Sequence, residues 1–366
     1  MTTRTSTQMA QEIAEQPAAV RRTLAALLPC RPALEELFEG RRRVLFAARG
    51  SSDNAAVYGR YLLETHAGVP GGLLSPSVAT HYGTRLDLSD ALVVSVSQSG
   101  ATEEIVTTQA WARDCGAATV AVANVADSPL VSAADLALVT EAGPEMAVPA
   151  TKTYLTQLVA MAVLGTALAP DPTALDADLD GVADEVDALL AQPDGVDDAV
   201  AALQNTDYTV VSGRGLMMGT ALETALKLEE TCLRPVRGYS YADLRHGPIS
   251  VVTTGMTALL VAAPDGPLVA PMTELAGDLT ARGATVIGLG GDAAFQAACA
   301  RHVHGPALPE TLAPLGAIVP AQLVVESLAR ALGLDPDAPR GLAKVTTTDP
   351  GPDTTNDPVT LEGEHR

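Results

Sequence analysis

Two arginine–glycine turns, Arg49-Gly50 and Arg214-Gly215, each end a short apolar run, and they lie 165 residues apart. Runs opening Ala118-Thr119-Val120 and Ala284-Thr285-Val286 repeat at 166 residues, and those around Val93 and Ala258 at 165. Three apolar segments at one near-constant offset indicate a single structural unit built twice. That constrains the fold strongly, because each half must bury the same succession of segments.

The segments read as strands. Val44–Gly50, Ala91–Gly100, Ala118–Asn124 and Asp135–Thr140 are short, apolar and bounded by Gly, Ser or Asn; Tyr208–Gly215, Thr257–Ala263 and Ala284–Gly291 follow suit in the second half. Strands alternating with helical patterns imply parallel sheets covered on both faces. The expected fold class is α/β, with two tandem doubly wound domains, each a parallel sheet flanked by helices. An N-terminal helical segment occupies 1–33, with a helix from Gln8 to about Leu28 that Pro29 helps to end. The first domain is expected at 34–175 and the second at 201–335. A helical linker at 176–200, broken at Pro193-Asp194-Gly195, joins them, and 336–366 is a tail whose last residues, from Pro350, are expected to be mobile.

Composition removes several classes of function. The chain has 366 residues, 47% hydrophobic and 18% charged, which excludes a disordered chain. Lys and Arg number 23 against 44 Asp and Glu, a formal net charge of −21. Nucleic acid and anionic membrane surfaces are therefore poor partners. Cys30, Cys115, Cys232 and Cys299 are scattered without a CxxC, so neither a disulfide framework nor structural zinc is expected. No apolar h-region follows Met1. The uncharged stretch Thr153–Pro170 reads as a buried core helix rather than a membrane span. The expected compartment is the cytoplasm.

In open parallel sheets, ligands bind beyond the carboxyl ends of the strands. There, Ser97-Gln98-Ser99-Gly100-Ala101-Thr102 is a strand-to-helix turn offering hydroxyls, an amide and backbone N–H groups at a helix start. Such a turn can cradle a phosphate without any basic residue, or its Ser and Thr can simply cap the helix. Ser51 and Ser52 occupy the equivalent turn after the preceding strand. The Gly213–Gly219 turn invites a dinucleotide reading, but no acidic strand end follows at the required distance, and a tight turn explains the glycines. In ETALKLEE, Glu223, Lys227 and Glu230 fall at i, i+4 and i+3 spacing and can share one helix face, either as an ion-pair ladder or as a base beside a lysine. His246 lies in a Gly/Pro loop, where a histidine is commonly structural, though it titrates near neutrality. His302 and His304 form an HxH pair without further ligands in evidence. Lys344 sits among apolar neighbours.

Together these motifs resemble the sugar isomerase (SIS) domain family, and within it the isomerase half of the isomerizing glutamine–fructose-6-phosphate aminotransferases and the stand-alone glucosamine-6-phosphate deaminases. The segments that carry the likeness are MAQEIAEQP (Met9–Pro17), SVSQSGATEE (Ser95–Glu104), ATKTYLTQL (Ala150–Leu158), ETALKLEET (Glu223–Thr231), LRHGP (Leu244–Pro248) and RGLAKVTT (Arg340–Thr347). The resemblance implies that Ser97, Gln98, Ser99 and Thr102 hold a sugar phosphate, with Ser51, Ser52 and Val148 completing the substrate site. It implies Glu230 as the base between C1 and C2, Lys227 as its assistant and Glu223 as a supporting acid. His246 would open the sugar ring from a neighbouring subunit of a homodimer, and Lys344 would form a Schiff base with the open-chain ketose. No cofactor or metal is implied.

Two departures stand out. Ala150 replaces the serine usual before Thr-Lys, and Pro235-Val236-Arg237-Gly238 replaces the usual His-Ala-Glu-Ala. The glutaminase half of the synthase is not in this sequence, so the expected reaction is deamination: glucosamine-6-phosphate to fructose-6-phosphate and ammonia. The alternatives are a deglycase or isomerase for another C2-modified sugar phosphate, or a non-catalytic phosphosugar sensor.

Overall fold

The structure is a computed structural model, and it describes residues 6–344. The end of the C-terminal tail, including the stretch expected to be mobile, lies outside the described residues.

The apolar runs form the middle of two five-stranded parallel sheets. In the first, β1 (Arg43–Ala47), β2 (Gly71–Leu73), β3 (Ala91–Val96), β4 (Ala118–Ala123) and β5 (Leu136–Val139) are ordered β2-β1-β3-β4-β5. In the second, β6 (Thr209–Gly213), β7 (Val236–Ser240), β8 (Thr257–Ala262), β9 (Thr285–Gly290) and β10 (Arg301–Val303) are ordered β10-β9-β8-β6-β7. The second order is the first read from the other edge, strand for strand. Corresponding strands begin 165 to 167 residues apart. The offset seen in three segments of the sequence therefore extends to all ten strands. Every residue of β3, β4, β6 and β8 is buried, as befits strands covered on both faces. Three strands, β2, β7 and β10, were not read from the sequence. All three are edges, three to five residues long, and none carries a continuous apolar run.

Helices fill the space between and around the sheets. The N-terminal helix runs Gln8–Ala14 and continues, after a turn at Glu15, as Gln16–Leu27, with Pro17 tolerated in its first turn. The uncharged stretch forms the helix Lys152–Leu168, buried from Lys152 to Ala167, and a second buried helix spans Ala313–Ala331. No helix among the described residues is long and apolar enough to cross a membrane. The linker is helical at Val182–Ala191 and Val196–Gln204, interrupted where Pro193-Asp194-Gly195 was expected to break it.

The packing that matters for the site is between the helix Ser51–Leu62, which follows β1, and the helix Met218–Cys232, which follows β6. Gly219 allows their close approach: a Cβ there would fall 2.6 Å from the Asn54 carbonyl oxygen. Helix packing thus explains the last glycine of the turn that resembled a dinucleotide fingerprint, while Gly215 has a φ of +60°, as a tight turn requires. Asn54 then donates from Nδ2 to Glu223 Oε2 at 2.9 Å, and the Tyr58 hydroxyl donates to the Thr311 carbonyl at 2.8 Å. The first helix of the first sheet is thereby fixed to Glu223 on the helix Met218–Cys232 and to the chain just before the helix Ala313–Ala331.

Candidate active site

A cavity of about 500 Å³ opens at the carboxyl ends of β1 and β3. Its lining includes every residue expected to bind substrate: Ser51 and Ser52, then Ser97, Gln98, Ser99 and Thr102, and Val148. Lys227, Glu230 and Lys344 line the same space. Residues from five separate parts of the chain, all expected from the sequence, meet in one place.

The hydroxyl loop follows directly from its sequence. β3 ends at Val96, Thr102 takes the N-cap position of the helix Glu103–Asp114, and the turn between them is closed by Gly100 N–H donating to the Ser97 carbonyl. Gly100 has φ of +62°, and a Cβ there would lie 2.1 Å from Ser128 Oγ. Both facts demand glycine. Ser97 Oγ and Thr102 Oγ1 lie 3.1 Å apart, and Ala101 N–H donates to Ser99 Oγ. Ser52, at the start of the neighbouring helix, accepts from Gln157 Nε2 at 3.1 Å. The loop is uncharged, rich in hydroxyls and set at a helix start, which suits an anion.

The charged part of the site comes from the helix Met218–Cys232. Lys227 Nζ donates to Glu230 Oε2 at 2.5 Å and lies 3.7 Å from Glu223 Oε1. Lys227 and Glu223 are buried, whereas Glu230 retains 28% of its side-chain exposure. Burial opposes the charge on Lys227, but the carboxylates of Glu223 and Glu230 outweigh it and hold the ammonium above its ordinary value. Burial raises the Glu223 carboxyl, against Lys227, Asn54 and Ser51, which lower it. Glu223 does not line the cavity; it stands behind Lys227.

Lys344 is held from the other side. Its Nζ donates to Glu145 Oε2 at 2.6 Å and to the Ala147 carbonyl at 2.7 Å. Glu145 is buried and also accepts from the backbone N–H and hydroxyl groups of Thr151 and Thr153. Burial alone would raise its carboxyl, yet Lys344 and these donors keep it below the ordinary carboxylate range. The loop carrying Ala147 is anchored in turn by the N-terminal helix. The buried Glu12 carboxylate accepts from Met146 N–H at 2.5 Å and from Ala147 N–H at 3.3 Å. Asp337 caps that helix through Gln8 and Met9 N–H, and its carbonyl accepts from Val148 N–H.

Besides Glu223, which stands behind Lys227, His246 is an expected site residue that does not line the cavity. It is exposed, at the C-terminal end of the short helix Tyr241–Arg245. His302 lies on the edge strand β10, its Nε2 2.9 Å from the Gly290 carbonyl, and the described residues contain no cluster able to hold a metal. Arg237 is exposed and stacks 5.4 Å from the Tyr239 ring centre.

Sequence reasoning missed Glu145, Gln157 and Arg49. Glu145 carries no periodic or spacing signal, being one acid in a Gly/Pro/Ala loop. Gln157 lies inside ATKTYLTQL but one turn beyond the polar residues that drew attention. Arg49 served only as a marker of the repeat. It lines the cavity and makes a two-pronged ion pair with Glu104: Nε to Oε2 at 2.9 Å and Nη2 to Oε1 at 2.7 Å.

The fold and cavity define a two-sheet α/β protein of the phosphosugar-isomerase type. Residues 37–167 match the SIS domain. The isomerizing glutamine–fructose-6-phosphate aminotransferase of Symbiobacterium thermophilum is 36% identical over 363 residues, an alignment taking in 93% of this chain and 59% of that protein. The chain thus spans about three fifths of the length of such relatives. Among solved structures, a protein of Silicibacter pomeroyi DSS-3, provisionally called a phosphosugar isomerase, is 34% identical with a TM-score of 0.82, over 91% of this chain and 100% of that one. The C-terminal domain of glucosamine-fructose-6-phosphate aminotransferase from Francisella tularensis is 28% identical with a TM-score of 0.81, over 93% and 100%. The chain belongs to the SIS domain family.

Proposed function

We propose that this chain is a sugar-phosphate isomerase with two SIS units, converting glucosamine-6-phosphate to fructose-6-phosphate and ammonia. The observation that carries the reading is a single cavity lined by both the uncharged hydroxyl loop and the Lys227–Glu230 pair. A phosphate held by Ser97, Gln98, Ser99 and Thr102, with Ser52 nearby, would fix one end of an open-chain sugar and position its reacting carbons. The names of the aminotransferase relatives, which carry fructose-6-phosphate, support a sugar phosphate as the ligand of that site.

Glu230 is the base in this scheme. It takes the proton from C2 of the open-chain amino-aldose and delivers it to C1, while the C1 oxygen gains the proton that the C2 amine loses, leaving a C1 hydroxyl and an imine at C2. Addition of water to that imine releases ammonia and the ketose. Lys227, kept charged by two carboxylates, offsets the negative charge that develops on the C1 oxygen as the C2 proton leaves. Lys344, an ammonium between Glu145 and Ala147, is a donor suited to polarising the C2 imine. The Schiff base implied by family resemblance would require that proton, and the Glu145 contact, to be given up first.

His246 opens the ring from a partner copy in this reading, since its own cavity does not contain it. That assigns the protein to a homodimer; a monomer by sedimentation with full turnover would refute the shared site.

The test is ammonia release from glucosamine-6-phosphate, with Glu230→Gln as control. Release that the substitution abolishes supports deamination by Glu230. No release by the wild type would reject this substrate, and retained binding of sugar phosphates with no turnover on any would identify a sensor.

A further inference from the structure

The cavity has a charge problem that the substrate reading does not address. Glu104 sits in the first turn of the helix Glu103–Asp114, just after the hydroxyl loop, and its side chain is only 7% exposed. A carboxylate in that turn uses the same helix-start field that an anion would use, and it repels the anion. The other cations of the lining cannot compensate, because Lys227 is held by Glu223 and Glu230, and Lys344 by Glu145. Arg49 remains. It joins Glu104 through two parallel hydrogen bonds, the geometry in which guanidinium and carboxylate match best. With 46% of its side chain exposed, it caps Glu104 on the cavity side. Its charge also acts on Asp53, the acid in the first turn of the other helix that starts at the cavity.

We propose that Arg49 is the charge-balancing residue of the anion site: by pairing with Glu104 it lets an uncharged loop accept a phosphate dianion. The inference rests on the sugar-phosphate reading of the cavity. Arg49 acts through Glu104, so it is a positioning residue rather than a catalytic one.

The distinction is testable by sign. Binding of sorbitol 6-phosphate, an open-chain hexitol phosphate with no carbonyl to isomerise, is measured by calorimetry for the wild type, Arg49→Ala, Glu104→Gln and the double variant. Unmasking a carboxylate beside a dianion is expected to weaken binding about tenfold or more in Arg49→Ala. Glu104→Gln is expected to bind no worse than the wild type, and the double variant to recover the loss. A structural role for the pair would not produce recovery in a variant lacking both partners. A double variant as weak as Arg49→Ala would make Arg49 a direct phosphate ligand and overturn the proposal, as would weakened binding in Glu104→Gln. Should Arg49→Ala fail to fold, the other two variants still decide, because neither leaves Glu104 charged and unpaired. No binding by the wild type would instead reject the phosphate reading of the cavity, and the proposal with it.

Discussion

The Glu145 carboxylate meets the Lys344 ammonium at 2.6 Å, across 199 residues of chain. The contact ties the last described residue to the loop before the helix Lys152–Leu168. Replacing Glu145 by Gln removes the one carboxylate paired with Lys344 among the described residues and weakens the acceptor for the Thr151 and Thr153 donors. Losing one partner of a buried pair typically costs 3–5 kcal/mol, and the partial exposure of Lys344 places this case near the low end, about 3 kcal/mol. Denaturant unfolding of the two proteins at pH 7 measures it.

The same pair sets an acid dependence. The Glu145 carboxyl is held below its ordinary value of 4.5, so its stabilising effect is complete above that value and is lost as pH falls through the lower, folded value. The stability advantage of the wild type over Glu145→Gln should therefore be constant near neutrality and shrink below about pH 4.5. An advantage that grew on acidification would contradict the assignment.

Glu230→Gln should lower kcat by roughly 10²–10⁴-fold while leaving the affinity for a sugar phosphate nearly unchanged, since proton transfer is removed and the hydroxyl loop is untouched. Steady-state kinetics beside direct binding separate the two effects. Equal losses in both would mean that Glu230 binds the substrate rather than acting as its base.

Gly100→Ala should disable the hydroxyl loop. The new methyl must occupy a left-handed backbone position and would meet Ser128 Oγ at 2.1 Å and Cβ at 2.5 Å. Strain of this kind costs about 1–3 kcal/mol and should appear both as a lower melting temperature and as weaker sugar-phosphate binding. Gly40→Ala, also at positive φ but with nothing within 4 Å of the new methyl, should show the smaller stability loss and normal binding.

Glu12→Ala tests whether the N-terminal helix supports the site. The substitution leaves the Met146 and Ala147 N–H groups without their acceptor, and Ala147 carries the carbonyl that holds Lys344. If Lys344 acts on the C2 imine, kcat should fall with KM little changed. Limited acylation followed by mass spectrometry should also show altered reactivity of Lys344, a readout that does not depend on the substrate. Unchanged Lys344 reactivity would reject the support role.

What the sequence determined by itself was the part of the molecule governed by local pattern. Buried central strands must be apolar along their whole length, so β1, β3, β4, β6, β8 and β9 announced themselves, and their repetition disclosed two similar sheets. The hydroxyl loop was legible because Ser, Gly and Thr between a strand and a helix admit few geometries. The Glu223–Lys227–Glu230 face was legible from helical periodicity. Of the four edge strands only β5, with its apolar LALV, was legible; GGL, VRGYS and RHV gain their structure from one neighbour rather than from burial on both faces. Only the tertiary structure decided which acids are paired and with what. The partners of Glu145 and Glu104 are Lys344 and Arg49, distant in sequence, and the partners of Glu12 are backbone groups more than a hundred residues away. A buried charge takes its meaning from what surrounds it in three dimensions, and the close crossing of two helices at Gly219 sets one strong condition for those surroundings here.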